Sequence, residues 1–300
     1  MRLKQYFFKF YSILKTFTKF SIHIVFSFIA KFFPSFLFDK GFLRIINFHN
    51  PSAKSLDSIL SVLNLVAPFT NYDRIVTCLR TRSKLPSGYA FTFDDGYKEN
   101  IKLIPILKKY NCQACFFVSA LSLIEKRHLW FIANKNNLKR YKKSLKKYDY
   151  DKFLNSIFTD STYNDENNRT GISSAELKEL FNSGQKIGVH TITHPFLTKL
   201  RKDQIIDEVE GSYLILKKHL NFKELPFDFA FPDGDHNNFV IDALKDIGVR
   251  SAATIQHLDI NQDTNPYKIP RYGAADNDFP GYVLFKQTKF YKMLIKLIPF

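Results

Sequence analysis

Residues 89–96 read Tyr89-Ala90-Phe91-Thr92-Phe93-Asp94-Asp95-Gly96: a short aromatic run that ends in two carboxylates and a glycine. An apolar stretch of this length reads as a strand buried on both faces, the habit of parallel sheets. Neighbouring side chains on a strand point to opposite faces, so Asp94 and Asp95 converge only where the strand breaks. Gly96 supplies that break. Alone, Asp-Asp-Gly is also an ordinary acidic turn, and its meaning depends on what lies around it.

Working outward, the chain alternates. Residues 42–48 form a second apolar run that enters His49-Asn50-Pro51, and residues 55–67 have helical spacing. Downstream, residues 100–109 read as helix and 115–118 as buried strand. Ser173 followed by Glu176 is a capping box for a helix that stops near Gly184. Strands at 185–189, 227–231 and 250–254 then alternate with helices at 203–220 and 238–246. Such alternation specifies an α/β fold, a parallel sheet or barrel wrapped by helices, with chemistry at the C-terminal ends of its strands. The main domain is expected over 41–280, with residues 121–172, which are irregular, basic and rich in Asn and Tyr, as an insertion.

Two further polar clusters fall at expected strand ends. His190-Thr191-Ile192-Thr193-His194-Pro195 follows the 185–189 strand, and Pro195 disfavours helix at His194. A loop there still lets both imidazoles approach one ion, and two histidines with one carboxylate make an open site for a catalytic divalent metal such as zinc. Phe229-Ala230-Phe231-Pro232-Asp233-Gly234 runs from strand into a tight turn whose backbone N–H groups are able to face an oxyanion.

In this order the clusters resemble the polysaccharide deacetylase family, carbohydrate esterases that share the NodB homology domain. The Phe-Thr-Phe-Asp-Asp-Gly and His-x-x-x-His runs match its first two motifs, and Phe-Ala-Phe-Pro-Asp-Gly is similar to its third. The strand of residues 44–49 and Ile269-Pro270-Arg271 resemble further segments, so the likeness covers roughly 42–275. The resemblance implies a distorted (β/α)7 barrel and hydrolysis of acetamido groups on a polysaccharide or lipid-linked glycan. It implies Asp95, His190 and His194 as ligands of a divalent metal, usually Zn2+, and Asp94 as general base. Asp233 and Arg271 are expected on the substrate side, the first through its backbone N–H. Alternatives within the fold are an amidase acting on a non-glycan amide and a non-catalytic glycan-binding member.

The chain departs from the family pattern twice. Ala230 stands where many members carry an arginine that steadies the base, and Arg271 is the candidate replacement. The usual leaving-group acid is a histidine near the C-terminus, yet no histidine follows His257. His49, His236 and His257 are the remaining candidates for that acid.

The ends of the chain carry a different signal. Net charge is +16, and no acid precedes Asp39 although Arg2, Lys4, Lys9, Lys15, Lys19 and Lys31 do. On a helix, Leu3, Phe7, Phe10, Leu14 and Phe17 share a face opposite Lys4, Lys9, Lys15 and Lys19, the pattern of a helix lying in a lipid interface. Residues 1–40 are therefore expected to associate with an anionic membrane surface, as at a bacterial inner membrane. Bulky phenylalanines stand where a cleaved signal peptide wants small residues. Residues 281–300 repeat the theme, with Lys286, Lys289, Lys292 and Lys296 facing away from Phe290, Leu294, Leu297 and Ile298. Basic residues 135–147, beside Leu129-Trp130-Phe131, are a candidate lid. No nucleic-acid-binding motif accompanies the charge, which sets that class aside. Cys112 and Cys115 make a CxxC without the further ligands a structural zinc site wants, and with Cys78 they cannot build a disulfide framework. Oligomeric state is not legible.

Overall fold

Seven strands, all parallel, form one sheet in the computed structural model, which describes residues 2–33, 41–125, 129, 149–159, 169–288, 291 and 293. They are β1 (Leu43–Phe48), β2 (Gly88–Phe93), β3 (Cys115–Val118), β4 (Lys186–Val189), β5 (Asp228–Ala230), β6 (Ser251–Ala253) and β7 (Tyr272–Gly273). Their spatial order is β6-β5-β4-β3-β2-β1-β7. A parallel bridge between Ala253 and Ile269 links the two edges, because the segment that becomes β7 beside β1 first touches β6. The sheet thus curls into the distorted (β/α)7 barrel that the motifs imply.

Every residue of β1, β2 and β3 is buried, which is why these runs read as continuous apolar segments. Their two faces do different work. Outside, Phe48 stacks on Phe93 at 5.5 Å and Phe93 on Phe116 at 4.7 Å, an aromatic row across three neighbouring strands. Such pairs add about 0.5–1.5 kcal/mol each beyond their area burial. Inside, Ile45, Ala90, Cys115, Phe117, Ala230 and Ala253 form a smaller core. Strand parity places Asn47 and Thr92 on that inner face, and they hydrogen-bond to each other at 2.7 Å.

Helices surround the barrel: α1 (Arg2–Phe32), α2 (Ala53–Val66), α3 (Tyr72–Thr81), α4 (Ile104–Lys109), α5 (Leu121–Glu125), α6 (Tyr150–Thr159), α7 (Ser174–Asn182), α8 (Lys202–Leu220), α9 (Asn238–Asp246) and α10 (Pro280–Phe285). Local chemistry sets their starts. Ser52, Asn71 and Asn237 cap α2, α3 and α9 through their side chains, and Ser173 with Glu176 completes a capping box on α7. The helix expected over 100–109 is split into a 3-10 turn, Lys98–Leu103, and α4. α3 is additional to the helices expected from sequence, and it rests on the Asn71 cap and the helical spacing of Tyr72, Ile75, Val76 and Leu79, all four buried.

The basic ends differ from the expectation in detail. The amphipathic pattern of residues 3–20 belongs to one continuous helix over residues 2–32. Lys19 and Lys286 do not point to solvent as a cationic face. Both bind Asp278, at 2.8 and 2.6 Å, because that buried carboxylate needs a counter-charge. Trp130, Phe131, Lys135–Lys147 and most of 289–300 lie outside the described residues. All three cysteines are buried and unpaired in disulfides.

Candidate active site

β2 ends at Phe93, and Asp94 continues its pairing by donating its N–H to the Phe48 carbonyl at 2.9 Å. The backbone then turns left-handed at Asp95 (φ 76°) and Gly96 (φ 78°), which separates the directions of the two carboxylates. A Cβ at Gly96 would lie 2.8 Å from Val118 Cγ1, so glycine also permits the close approach of β3. Asp94 keeps the inward parity of Thr92. Arg271 donates to it twice, Nη1 to Oδ1 at 2.7 Å and Nη2 to Oδ2 at 2.8 Å, and Asn47 Nδ2 donates to Oδ2 at 2.9 Å. Burial alone would raise the pKa of this carboxyl, but the charges of Arg271 and His190 outweigh it and hold it at about 2.

Asp95 faces the other way, toward β4. Its Oδ1 lies 3.4 Å from His190 Nε2 and 3.5 Å from His194 Nε2. This oxygen is buried and has no hydrogen-bond partner among the described residues. His190 Nδ1 donates to the Ala230 carbonyl at 2.8 Å, which fixes the tautomer and leaves Nε2 as a lone pair aimed at Asp95. Burial holds His194 below the ordinary imidazole pKa; at His190 burial is outweighed by Asp95 and Asp94, and the pKa rises. Two imidazoles and a carboxylate around a tetrahedral ion with bonds of ~2.0–2.2 Å stand ~3.3–3.5 Å apart. The observed spacings match that cradle, and the partnerless buried oxygen is the atom a cation would satisfy. The donor set therefore fits a divalent metal.

The loop that carries the two histidines is strained and held. Thr191 (φ 62°) and His194 (φ 57°) are both left-handed. Thr191 Oγ1 accepts the His194 N–H at 2.9 Å. Glu208, on α8 and 1% exposed, accepts from the N–H groups of Ile192 and Thr193, each at 2.9 Å, and from the Thr193 hydroxyl. Tyr150 Oη donates to the same carboxylate at 2.6 Å. Sequence reasoning missed Glu208, because nothing in a single charged position on a helix announces that it points inward.

Arg271 is wholly buried, and its other donors go to the Thr254 carbonyl, Asn47 Oδ1 and Thr92 Oγ1. It lies behind Asp94, so its contacts are to the candidate base rather than to the substrate side where it was also expected. Asp233 is exposed, in the left-handed turn Pro232–Gly234 (φ 51°), close enough for its charge to act on His194. The three candidate acids separate clearly. His236 stacks on Phe231 with Nδ1 against the Gly234 carbonyl, and His257 Nε2 accepts the Gly273 N–H. His49 is exposed at the end of β1, and its charge acts on both Asp94 and Asp95.

The profile of the polysaccharide deacetylase family matches residues 82–252, more than half of the chain and all three motif clusters. The chain belongs to the polysaccharide deacetylase family. Its resemblance to YxkH of Bacillus subtilis (strain 168), itself only provisionally named a polysaccharide deacetylase, is 23% identity over 210 residues. That match takes in 68% of this chain and 59% of YxkH, so the chain spans about three-fifths of that relative's length. Among solved structures, IcaB from Ammonifex degensii superposes with a TM-score of 0.60 at 20% identity, covering 83% of this chain and 98% of that one. The Streptococcus pyogenes deacetylase PplD, solved with acetate, gives 0.58 at 17% identity, covering 82% and 96%. At these identities the two structures speak for the shared deacetylase barrel alone. The family takes its name from the deacetylation of polysaccharides.

Proposed function

We propose that the protein is a divalent-metal-dependent N-deacetylase that hydrolyses acetamido groups of an N-acetylated glycan. The observation that carries this reading is the buried Asp95 Oδ1, within 3.5 Å of two imidazole nitrogens and without a hydrogen bond among the described residues. Asp95, His190 and His194 would hold the ion, Zn2+ being the natural occupant of such a donor set. When bound, a divalent metal supplies Lewis acidity toward a carbonyl and lowers the pKa of water from ~15.7 towards ~7.

The remaining steps belong to the chain's own residues. Asp94, ionised throughout the neutral range, accepts the proton of the attacking water as general base. Arg271 and Asn47 fix the orientation of that carboxylate, so little reorganisation accompanies the transfer. The backbone N–H of Asp233 itself is the donor proposed for the developing oxyanion, since those of Gly234 and Asp235 donate to the Phe231 and Pro232 carbonyls. His49, exposed beside both carboxylates, protonates the departing amine.

Bound metal and acetate release from N-acetylglucosamine oligomers test the reading in wild type, Asp94→Asn and Asp95→Ala. Wild type should bind one ion and release acetate; Asp94→Asn should keep the ion and lose at least ~100-fold in rate; Asp95→Ala should lose both. Metal bound without acetate release in wild type would make the chain a glycan-binding member of the fold instead.

A further inference from the structure

α1 is seated on the deacetylase domain by specific contacts. Lys19 binds Asp278 at 2.8 Å, the Gly281 N–H donates to His23 Nδ1 at 3.1 Å, and Phe26 packs on Phe285 with ring centroids 5.2 Å apart. A Cβ on Gly281 would fall 2.2 Å from the His23 carbonyl oxygen, so the two helices touch backbone to backbone. The rotation of α1 about its axis is therefore set by the fold. What faces outward is a continuous apolar stripe: Phe17, Phe20, Ile24, Phe28 and Phe32, spaced at helical intervals and each 45–67% exposed. Besides Lys19, which Asp278 neutralises, the same 31-residue helix contains five Lys and Arg and no acid. No described helix is long and apolar enough to cross a membrane. An exposed aromatic stripe on a purely cationic helix matches an anionic lipid interface in both polarity and charge.

Beneath α1 runs a groove of about 740 Å3, between α2 and the segment 276–280. It is lined by His23 of α1, by Ser58 and Ser61 of α2, and by Asn50 and Asp276. Asp276 accepts the N–H groups of His49 and Asn50 at 3.3 and 2.9 Å, so the lining of the groove adjoins the candidate acid. Volume and lining suit a sugar-sized ligand of a few hundred Å3. We propose that the α1 stripe rests on an anionic bilayer and that the groove admits the head of a lipid-linked N-acetylated glycan, which reaches the acetamide site from the membrane side. This rests on the deacetylase reading for the chemistry but not for the docking surface.

Two arms test it with the full chain. In the first, the protein is sedimented with vesicles of phosphatidylglycerol and phosphatidylcholine or of phosphatidylcholine alone. Wild type should pellet with the anionic vesicles, and the triple variant Phe17→Ser, Ile24→Ser, Phe28→Ser should bind them at least tenfold more weakly. Equal partition of the two proteins, or a wild-type dimer that the triple variant dissolves, would overturn the bilayer as occupant. In the second arm, polyprenyl-diphosphate-linked N-acetylglucosamine oligomers in anionic vesicles are compared with soluble N-acetylglucosamine tetramer. The triple variant should match wild type on the tetramer and fall at least tenfold on the vesicle-borne substrate. Ser58→Trp, within the groove, should lower vesicle-borne turnover while leaving vesicle binding unchanged. Equal turnover by all three proteins on the vesicle-borne substrate would overturn the lipid-linked class. Loss of wild-type activity on both substrates would instead sink the deacetylase reading, with the sedimentation result still deciding the surface.

Discussion

Among the described residues Arg271 is the largest side chain that the fold encloses completely, and both of its terminal nitrogens engage Asp94. A buried ion pair of this kind is weak evidence of stability, since desolvation offsets its attraction, but removing one partner strands the other. Arg271→Ala should cost ~3–5 kcal/mol of unfolding free energy and lower turnover, while metal content stays at wild type because the Asp95 cradle faces away. Chemical denaturation, kinetics and metal analysis of one preparation check all three; unchanged turnover would remove Arg271 from the site. Glu208 acts at a further remove, holding the loop between the two histidines through two backbone N–H groups and a hydroxyl. Glu208→Ala should weaken metal binding ~10–100-fold, as loss of an outer-sphere support does, and competition with a chromogenic chelator measures it without reference to activity.

At the scale of elements, α1 is held by a triad, Lys19–Asp278–Lys286, in which the Asp278 side chain is 1% exposed. Burial alone would raise the Asp278 pKa, but Lys286 and Lys19 outweigh it and the carboxyl sits below its usual 3.8. A carboxylate with a depressed folded-state pKa contributes stability that is complete above the unfolded value and is lost as pH falls through the folded one. Docking of α1 should therefore be constant from neutral pH down to about 4 and fail only in stronger acid. Limited proteolysis across that range reads this out, and Asp278→Asn should expose α1 to cleavage already at pH 7. Elements of this kind were partly legible. α2, α7 and α9 carry their caps and apolar spacing in plain sequence and α8 its apolar spacing, whereas β7 is two residues long and owes its existence to the strand beside it.

For the molecule as a whole, closure comes from one short segment. Residues 269–274 bridge β6 at Ile269 and β1 at Tyr272, and carry Arg271 into the barrel between those contacts. The metal cradle likewise joins the ends of β2 and β4, with β3 between them. An ion held there binds the folded state alone, so saturation at 100 times its Kd should stabilise the protein by ~2.7 kcal/mol. Thermal unfolding with added Zn2+ against excess chelator should show Tm rising by ~5 °C, with no rise in Asp95→Ala.

From the chain alone follow the alternation of buried strands and capped helices, the family likeness, the candidacy of Arg271 as the cation behind the base, and the placing of Asp94, Asp95, His190, His194 and Asp233 where strands give way to turns. Apolar runs, cap residues and glycine breaks act over a few positions of sequence. Tertiary structure alone decided which oxygen of Asp95 meets the imidazoles, that Arg271 engages both oxygens of Asp94 from 177 residues away, that Glu208 turns inward, and which side of α1 faces the domain. The reason is physical: pairings between distant charges depend on strand order and on the curl of the sheet, and neither is written in any one segment.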